Sequence, residues 1–231
     1  ESTRAHPKQL LDLEGSGASL LQSTVNLLSE RIPPEHIYVV TSLSLQQQVS
    51  AQLPTVPGSN ILCEPVGRNT APCIGWACVH LLRKHHSPVI AVLPSDHKIA
   101  EAEAFHRIVE RAFTSAEAAL TTVGIRPSRA ATGYGYLLCG DEVSEGSFRV
   151  SRFVEKPSRE KAESFLKAGN YLWNSGMFFF KASDMMEAFA LHLPELYRSL
   201  EGLQRCDSSE EELRLVNSSY ASMPSVSIDY G

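Results

Sequence analysis

The sequence lacks the features of several protein classes. Its five cysteines form no C-x-x-C pair and their number is odd, which argues against a structural zinc site or a disulfide framework. No apolar run is long enough to span a bilayer and no signal-peptide pattern opens the chain, so we expect a cytoplasmic protein without a membrane partner. A basic excess is also absent: the net charge of −5 argues against a broad nucleic-acid surface, although a small phosphate pocket is compatible with it.

Two kinds of segment alternate along the 231 residues. Short apolar runs such as Pro88–Leu93 are typical of buried strands, and amphipathic stretches such as 101–119 have helical spacing. The alternation predicts an α/β fold with a mostly parallel central sheet and helices on both faces. The length fits one large core, so we expect a single domain over 1–231.

Two carboxylates stand in positions that suit a metal ion. Ser95-Asp96-His97 directly follows the most apolar strand, and ligands of parallel sheets bind beyond such strand ends. Asp229 is a second acid in an apolar context. Mg²⁺ usually takes one or two protein oxygens while substrate phosphates supply others. Each acid also fits as an ordinary turn or cap residue, and position alone leaves both interpretations open.

Three segments carry groups that could bind a sugar phosphate. Glu155 and Lys156 place an anion beside a cation at a strand end, and Gly135 allows the backbone to approach a ligand. Asn174 offers an amide that can donate and accept. A solvated ion pair, a hairpin turn and a loop residue are the respective structural alternatives.

The segment Arg68-Asn69-Thr70 precedes a predicted helix whose N-terminus could face an anion or a base edge, and a well-capped helix explains the same residues. The histidines near the end of that helix, His80, His85 and His86, favour contact with its dipole over metal binding. The run Phe178–Phe180 is expected in the core, and the stretch Cys206–Glu212 is expected to be exposed and acidic.

The order of these segments is more specific than any one of them. Together, over essentially the whole chain, they resemble the bacterial-type mannose-1-phosphate guanylyltransferases. The segments that carry the resemblance are Pro7-Lys8-Gln9, Glu64 to Pro72 (EPVGRNTAP), Leu93 to His97 (LPSDH), Thr132 to Tyr136 (TGYGY), Phe153 to Pro157 (FVEKP), Leu172 to Phe178 (LWNSGMF) and Ser227 to Tyr230 (SIDY).

The resemblance implies a Rossmann-like nucleotidyltransferase fold with a nucleotide-binding half at about 1–125 and a sugar-phosphate-binding half at about 126–231. It implies that GTP and mannose 1-phosphate give GDP-mannose and pyrophosphate with Mg²⁺, without a protein nucleophile. The implied roles are catalysis by Lys8, Asp96, Lys156 and Asp229, metal binding by Asp96 and Asp229, nucleotide contacts from Arg68, Asn69, Thr70 and Ser95, and mannose contacts from Glu155, Asn174 and the backbone at Gly135.

One departure from the family pattern concerns the N-terminus. The family has a glycine-rich segment ending in an arginine before the position of Pro7, whereas here only Glu1 to His6 precede it and Arg4 matches the tail. We therefore expect truncation at both ends and impaired turnover by a chain that begins at Glu1.

Two alternatives stay open. A related sugar nucleotidyltransferase is one, although NTAP and WNSGMF favour GTP and mannose. A non-catalytic module that senses GDP-mannose is the other, although retention of both Asp96 and Asp229 speaks against it. The sequence also leaves open whether the protein is a homodimer.

Overall fold

The computed structural model describes residues 7–13 and 15–230, so Arg4 lies outside the described residues. The helices of this part are α1 (Leu20–Ser29), α2 (Gln46–Gln52), α3 (Thr70–Lys84), α4 (Ala102–Ala116), α5 (Arg159–Ala168), α6 (Ala182–His192), α7 (Pro194–Gln204) and α8 (Ser209–Ser219). The strands are β1 (Val39–Ser42), β2 (Ile61–Glu64), β3 (Val89–Val92), β4 (Thr121–Ile125), β5 (Tyr136–Ser144), β6 (Ser147–Val154) and β7 (Tyr171–Lys181). A short 3₁₀ turn at Ile228–Tyr230 follows them. The predicted alternation of strands and helices is confirmed.

The predicted mostly parallel sheet is wrong. Only β1 and β2 pair in parallel among the described strands, and they form a separate two-stranded sheet. The other five strands pair antiparallel around β7, whose eleven residues contact β3, β4 and β5. Strand β5 in turn pairs antiparallel with β6 through a tight hairpin. Helices connect many of the strands, as the prediction assumed, but β7 runs antiparallel to β3, β4 and β5.

Helices do cover both faces of this sheet, as predicted. Successive side chains of a strand point to opposite faces, and β7 shows this alternation in its core contacts. Phe178 and Phe180 pack in the cluster formed with α3, α6, α7 and α8, whereas Met177 and Phe179 pack with α4. A third cluster joins β1 and β2 to α1 and α2. The run Phe178–Phe180 is therefore core, as expected.

Capping residues determine where several of the helices begin or end. Ser19 and Gln22 form a reciprocal capping box at the start of α1. Asn69 caps α3 by accepting from the N–H of Thr70, at a positive φ of 68° and a ψ of −170° that residues other than glycine rarely adopt. Gly169 ends α5 in the left-handed conformation. Among the described residues, no helix has the length and apolar character needed to cross a membrane.

The expectation of an exposed acidic stretch at Cys206–Glu212 is wrong at its two ends, although residues 207–210 are exposed. Cys206 is buried, and Glu212 on the first turns of α8 is only 4% exposed. Ser208 caps the helix by accepting from the N–H of Glu211, which starts α8 within the acidic run. The acids Glu210 and Glu211 do face outward near the positive end of the helix, where negative charge is favourable.

Candidate functional site

The ion pair predicted after β6 is present. Nζ of Lys156 lies 2.9 Å from Oε1 of Glu155, whose side chain is 10% exposed while that of Lys156 is 59% exposed. The hydrogen bond and charge of Glu155 raise the pKa of Lys156, and Tyr230 and Asp229 contribute in the same direction. The arrangement holds an inward carboxylate under an outward ammonium, which suits a polar ligand that ends in a phosphate.

Gly135 lies directly against this carboxylate. A Cβ added at Gly135 would stand 2.5 Å from Oε2 of Glu155, 3.1 Å from Cζ of Phe153 and 3.3 Å from Cβ of Asn174. The carbonyl of Gly135 also accepts from the N–H of Asn174 at 2.8 Å. Three of the predicted sugar-binding residues are therefore brought together, and glycine at position 135 is what makes room for them.

Asn174 bonds to Asp229. Its Nδ2 donates to Oδ1 of Asp229 at 3.0 Å, while its Oδ1 accepts from the N–H of Gly176 at 3.2 Å and from the hydroxyl of Thr122 at 3.1 Å. The backbone donor fixes which side of the amide is oxygen. One N–H of Asn174 stays uncommitted by these bonds, so toward a ligand the residue acts chiefly as a donor.

The start of α3 is tied to the segment that carries Asp229. The N–H of Ile228 donates to the hydroxyl of Thr70 at 2.9 Å, and the N–H of Ala71 donates to the carbonyl of Val226 at 3.0 Å. Ser227 donates to Oδ2 of Asp229 at 3.0 Å. Thr70, which was predicted near the nucleotide, therefore touches the same chain segment as the predicted metal ligand.

Asp96 is held by a cation. Its Oδ2 lies 2.6 Å from Nζ of Lys8, and its Oδ1 lies 3.9 Å from Nε2 of His97. The loop that carries Asp96 packs on the Asn174 segment, because a Cβ added at Gly176 would lie 3.3 Å from Cγ of Pro94. Lys8 and Asp96 were both predicted near the phosphates, and they pair with each other; Ser95 lies half-buried in the same loop as Asp96.

Arg68 and the predicted metal ligands show less of a binding site than the residues around Gly135. Nε of Arg68 is buried and has no hydrogen-bond partner, in the loop between β2 and α3. The described residues hold no group of three or more His, Cys, Asp or Glu side chains arranged for a metal ion.

These features match a known family. The family model for nucleotidyl transferases matches residues 2–209. The chain belongs to the nucleotidyl transferase family.

Individual nucleotidyl transferases are similar over nearly the whole chain. A putative mannose-1-phosphate guanylyltransferase of Vibrio cholerae is 37% identical over 99% of this chain and 50% of its own length. A mannose-1-phosphate guanylyltransferase of Salmonella typhimurium is 37% identical, over 99% of this chain and 49% of its own length. The resemblance stated from the motifs is confirmed, and the chain spans about half the length of these curated relatives.

A solved structure agrees with the fold of this nucleotidyl transferase. The crystal structure described as mannose-1-phosphate geranyltransferase from Thermus thermophilus superposes with a TM-score of 0.88 at 32% identity. The superposition covers 100% of this chain and 65% of the other. The α/β nucleotidyltransferase fold is therefore confirmed, with an antiparallel portion in its sheet that the sequence analysis missed.

A buried polar network outside the site also escaped the sequence analysis. The carboxylate of Glu212 accepts from Nε1 of Trp76 at 2.8 Å and from a guanidinium nitrogen of Arg83 at 2.6 Å, and Nδ1 of His80 lies 2.9 Å away. His80 thus bonds to a carboxylate instead of serving the helix dipole. A cavity of about 500 Å³ lies beside this network, but none of the predicted site residues lines it.

A second buried pair joins the same two regions. The hydroxyl of Tyr220 donates to Oε1 of Glu64 at 2.5 Å, and the Tyr220 ring packs edge-on against Trp76. Burial raises the pKa of Glu64, and the bond from Tyr220 partly offsets this. No sequence pattern signals these contacts, because their partners lie more than a hundred residues apart in the chain.

Proposed function

We propose that this nucleotidyl transferase forms GDP-mannose and pyrophosphate from GTP and mannose 1-phosphate. The observation that carries the proposal is the meeting of Glu155 and Asn174 at Gly135, with Asp229 bonded to Asn174 and Lys156 at the rim. The names of relatives at 37% identity support the choice of mannose and guanine. The reaction belongs in the cytoplasm, where GTP is available.

The chemistry requires charge neutralisation and positioning. A phosphate oxygen of mannose 1-phosphate forms a bond to the α-phosphorus of GTP, and the bond from that phosphorus to the pyrophosphate oxygen breaks. Both reactants are polyanions, so cations that hold them in line supply most of the catalysis. Lys156 would neutralise the sugar phosphate, and its raised pKa keeps the ammonium charged through the neutral range. Lys8 would lie at the nucleotide phosphates.

The mannose half of the proposal rests on directional groups. The inward carboxylate of Glu155 would accept from a sugar hydroxyl, and the uncommitted N–H of Asn174 would donate to one. The bare Cα of Gly135 lets the ring approach the backbone. These roles require a ligand that offers a donor and an acceptor near each other, as a sugar diol does.

The nucleotide half rests on the start of α3. Asn69 and Thr70 stand at its N-terminus, where the helix dipole favours an anion or a base edge with acceptors, and Arg68 precedes them. Ser95 is half-buried beside Asp96, and we propose that it also contacts the nucleotide. The hydroxyl of Thr70 is already engaged by Ile228 and its N–H by Asn69, so Thr70 would contribute to the nucleotide site mainly by fixing the start of α3.

A divalent metal, which nucleotidyl transferases generally use, fits the residues present, and we propose Mg²⁺. Asp96 and Asp229 would hold it, because each hydrogen-bonded oxygen of Asp229 retains a lone pair and Mg²⁺ needs only one or two carboxylates. When bound, the metal would supply positive charge to the phosphates. Lys8 would have to share Asp96 with it or release it.

Calorimetric titration with GDP-mannose and Mg²⁺ tests the proposal, with UDP-glucose and GDP-glucose as ligand controls. We expect selective binding of GDP-mannose that Glu155→Ala and Asn174→Ala each weaken by about tenfold or more. Glu160→Ala, which removes an exposed carboxylate from α5, is the matched control and should bind as the parent does.

Three other outcomes separate the alternatives. Equal binding of UDP-glucose would indicate a different sugar nucleotidyltransferase. Selective binding of GDP-mannose without pyrophosphate release, in a protein that includes the glycine-rich segment, would indicate a sensor. Binding of GDP-mannose that is unchanged in Glu155→Ala and Asn174→Ala would contradict the proposed site. Sedimentation of the same samples would decide whether the protein is a homodimer.

A further inference from the structure

The carboxylate of Asp229 is held from both sides by neutral donors. Asn174 donates from Nδ2 to Oδ1 at 3.0 Å, and Ser227 donates from Oγ to Oδ2 at 3.0 Å. An ionised carboxylate oxygen accepts about two hydrogen bonds, so each oxygen keeps one lone pair for another partner. With both donors in place, the plane of the carboxylate and the direction of the remaining lone pairs are fixed.

The direction of the bonds on the Ser227 side follows from counting hydrogens. Ser227 has one hydroxyl hydrogen, and Asp229 as a carboxylate can only accept, so that hydrogen goes to Asp229. The hydroxyl of Thr70 lies 3.3 Å from that of Ser227 and must therefore be the donor between the two. Thr70 in turn accepts from the N–H of Ile228. The result is a relay that runs from the first residue of α3 through Ser227 to Asp229.

The other side has a corresponding support in β4. The single hydroxyl hydrogen of Thr122 is shared between two acceptors, Oδ1 of Asn174 at 3.1 Å and the carbonyl oxygen of Met177 at 2.9 Å. The N–H of Gly176 donates to the same amide oxygen at 3.2 Å. Together they hold the oxygen of Asn174 away from Asp229, so the amide nitrogen is the end that faces the carboxylate.

We infer that Thr122 and Ser227 are positioning residues that orient the metal-binding carboxylate of Asp229, Thr122 through the amide of Asn174 and Ser227 directly. The inference rests on the proposed function, because it takes Asp229 as a metal ligand. Neither hydroxyl needs to touch the metal or a substrate.

The surroundings of Asp229 make this orientation matter. Asp229 borders a cavity of about 260 Å³ whose other walls are mainly apolar, including Phe153, Phe178 and Ile228. Few solvent molecules are therefore available on that side to replace a lost donor, and hydrogen bonds in such a setting are stronger than in water. Partners that orient a metal ligand typically change metal affinity by 10- to 100-fold when they are removed.

The test measures binding of Mn²⁺ by electron paramagnetic resonance, in the presence of GDP-mannose, together with the melting temperature of each variant. Thr122→Val keeps the shape of the side chain and removes its donor, and Ser227→Ala removes the other donor. We expect each to weaken Mn²⁺ binding about tenfold. Thr122→Ser should restore the affinity, because it returns the hydroxyl.

The controls are the neighbouring threonine of β4 and an exposed serine of α8. Thr121→Val removes a hydroxyl of β4 that bonds to the carbonyl of Ala119, and Ser218→Ala removes an exposed hydroxyl of α8. Both should leave Mn²⁺ affinity within twofold of the parent. A side chain with a purely structural role would lower the melting temperature without this selective effect on the metal.

The outcomes separate the inference from the proposed function. Mn²⁺ binding that is insensitive to Asp229→Asn would contradict the metal assignment of the proposed function. Binding that depends on Asp229 but stays within twofold of the parent in both Thr122→Val and Ser227→Ala would overturn the positioning role alone. Should Ser227→Ala fold poorly, Ser227→Cys supplies the same comparison, because it retains the size of the side chain and replaces the hydroxyl by a weak donor.

Discussion

The Cα of Gly135 lies so close to the carboxylate of Glu155 that a side chain at position 135 would collide with it. A Cβ at position 135 would lie 2.5 Å from Oε2 of Glu155. The clash would involve the far end of the flexible Glu155 side chain. The fold can therefore accommodate it, but the carboxylate would have to move. Glycine is thus required here by the site and not by a backbone turn.

Gly135→Ala should therefore separate function from stability. We expect turnover to fall on the order of 10²-fold, because displacement of a positioning group by about 1 Å has effects of that size. The melting temperature should change little. Gly133→Ala is the matched control, since a Cβ there meets nothing within 4 Å. Equal activities of the two variants would show that Glu155 does not contact the ligand.

The ion pair of Glu155 and Lys156 predicts that the pKa of Lys156 depends on Glu155. The pKa of Lys156 is raised mainly by the hydrogen bond and charge of Glu155, so Glu155→Gln should lower it toward the ordinary value of 10.5. The wild-type ammonium should stay protonated to higher pH than the variant's. Titration of ¹³C-labelled lysine by NMR measures this directly, with Glu160→Gln as the control. A Lys156 pKa that does not move in Glu155→Gln would contradict the pairing.

The buried carboxylate of Glu212 predicts acid sensitivity. Burial alone would raise its pKa, but the bonds and charge from His80, Trp76 and Arg83 outweigh this and lower it below 4.5. Because the pKa of Glu212 is lower in the folded protein than in the unfolded chain, its stabilisation is fully present above about pH 4.5. It is lost as the pH falls through the folded-state pKa. The other ionisable groups that line the adjoining cavity are Lys84, Cys206 and Asp207.

Glu212→Gln should consequently lower the free energy of unfolding by about 3 kcal/mol at pH 7, because it leaves the partly buried guanidinium of Arg83 without its anionic partner. The difference between wild type and variant should shrink between about pH 5 and pH 3. Denaturant unfolding at several pH values measures both effects, and Glu210→Gln on the exposed side of α8 serves as the control. A constant difference across that pH range would show that Glu212 is not the titrating group.

Local patterns were sufficient to place most elements but not the sheet. The apolar runs at β3 and β7 and the capped start of α3 are visible in the sequence. The direction in which β7 enters the sheet is not, because strand pairing depends on partners about 50 to 90 residues away and leaves no local trace. An alternation of strands and helices therefore suggested a more parallel sheet than the one present.

The site was predictable to the extent that its groups are carried by short motifs. FVEKP, TGYGY and SIDY contain the residues that converge on Gly135 and Asp229. What could not be predicted is which hydrogen-bonding capacity is already used inside the protein. The amide oxygen of Asn174 and the hydroxyl of Thr70 both have protein partners, and this follows only from the geometry of Gly176, Thr122 and Ile228.

The pair formed by Lys8 and Asp96 makes a prediction about the metal. Nζ of Lys8 lies 2.6 Å from Oδ2 of Asp96, so the ammonium and a divalent cation compete for the same oxygen. Both side chains are partly exposed, at 55% and 30%, and such pairs contribute modestly. Lys8→Met should therefore tighten Mn²⁺ binding in the absence of nucleotide by about two- to fivefold. The same change should lower turnover, because Lys8 is also proposed to neutralise phosphate.

Tighter Mn²⁺ binding together with lower turnover would identify Lys8 as a cation that competes with the metal and not as a residue that only supports the structure. Lys161→Met, on the exposed face of α5, should change neither quantity. Weaker Mn²⁺ binding in Lys8→Met would mean that Lys8 holds Asp96 in place for the metal instead of occupying its site.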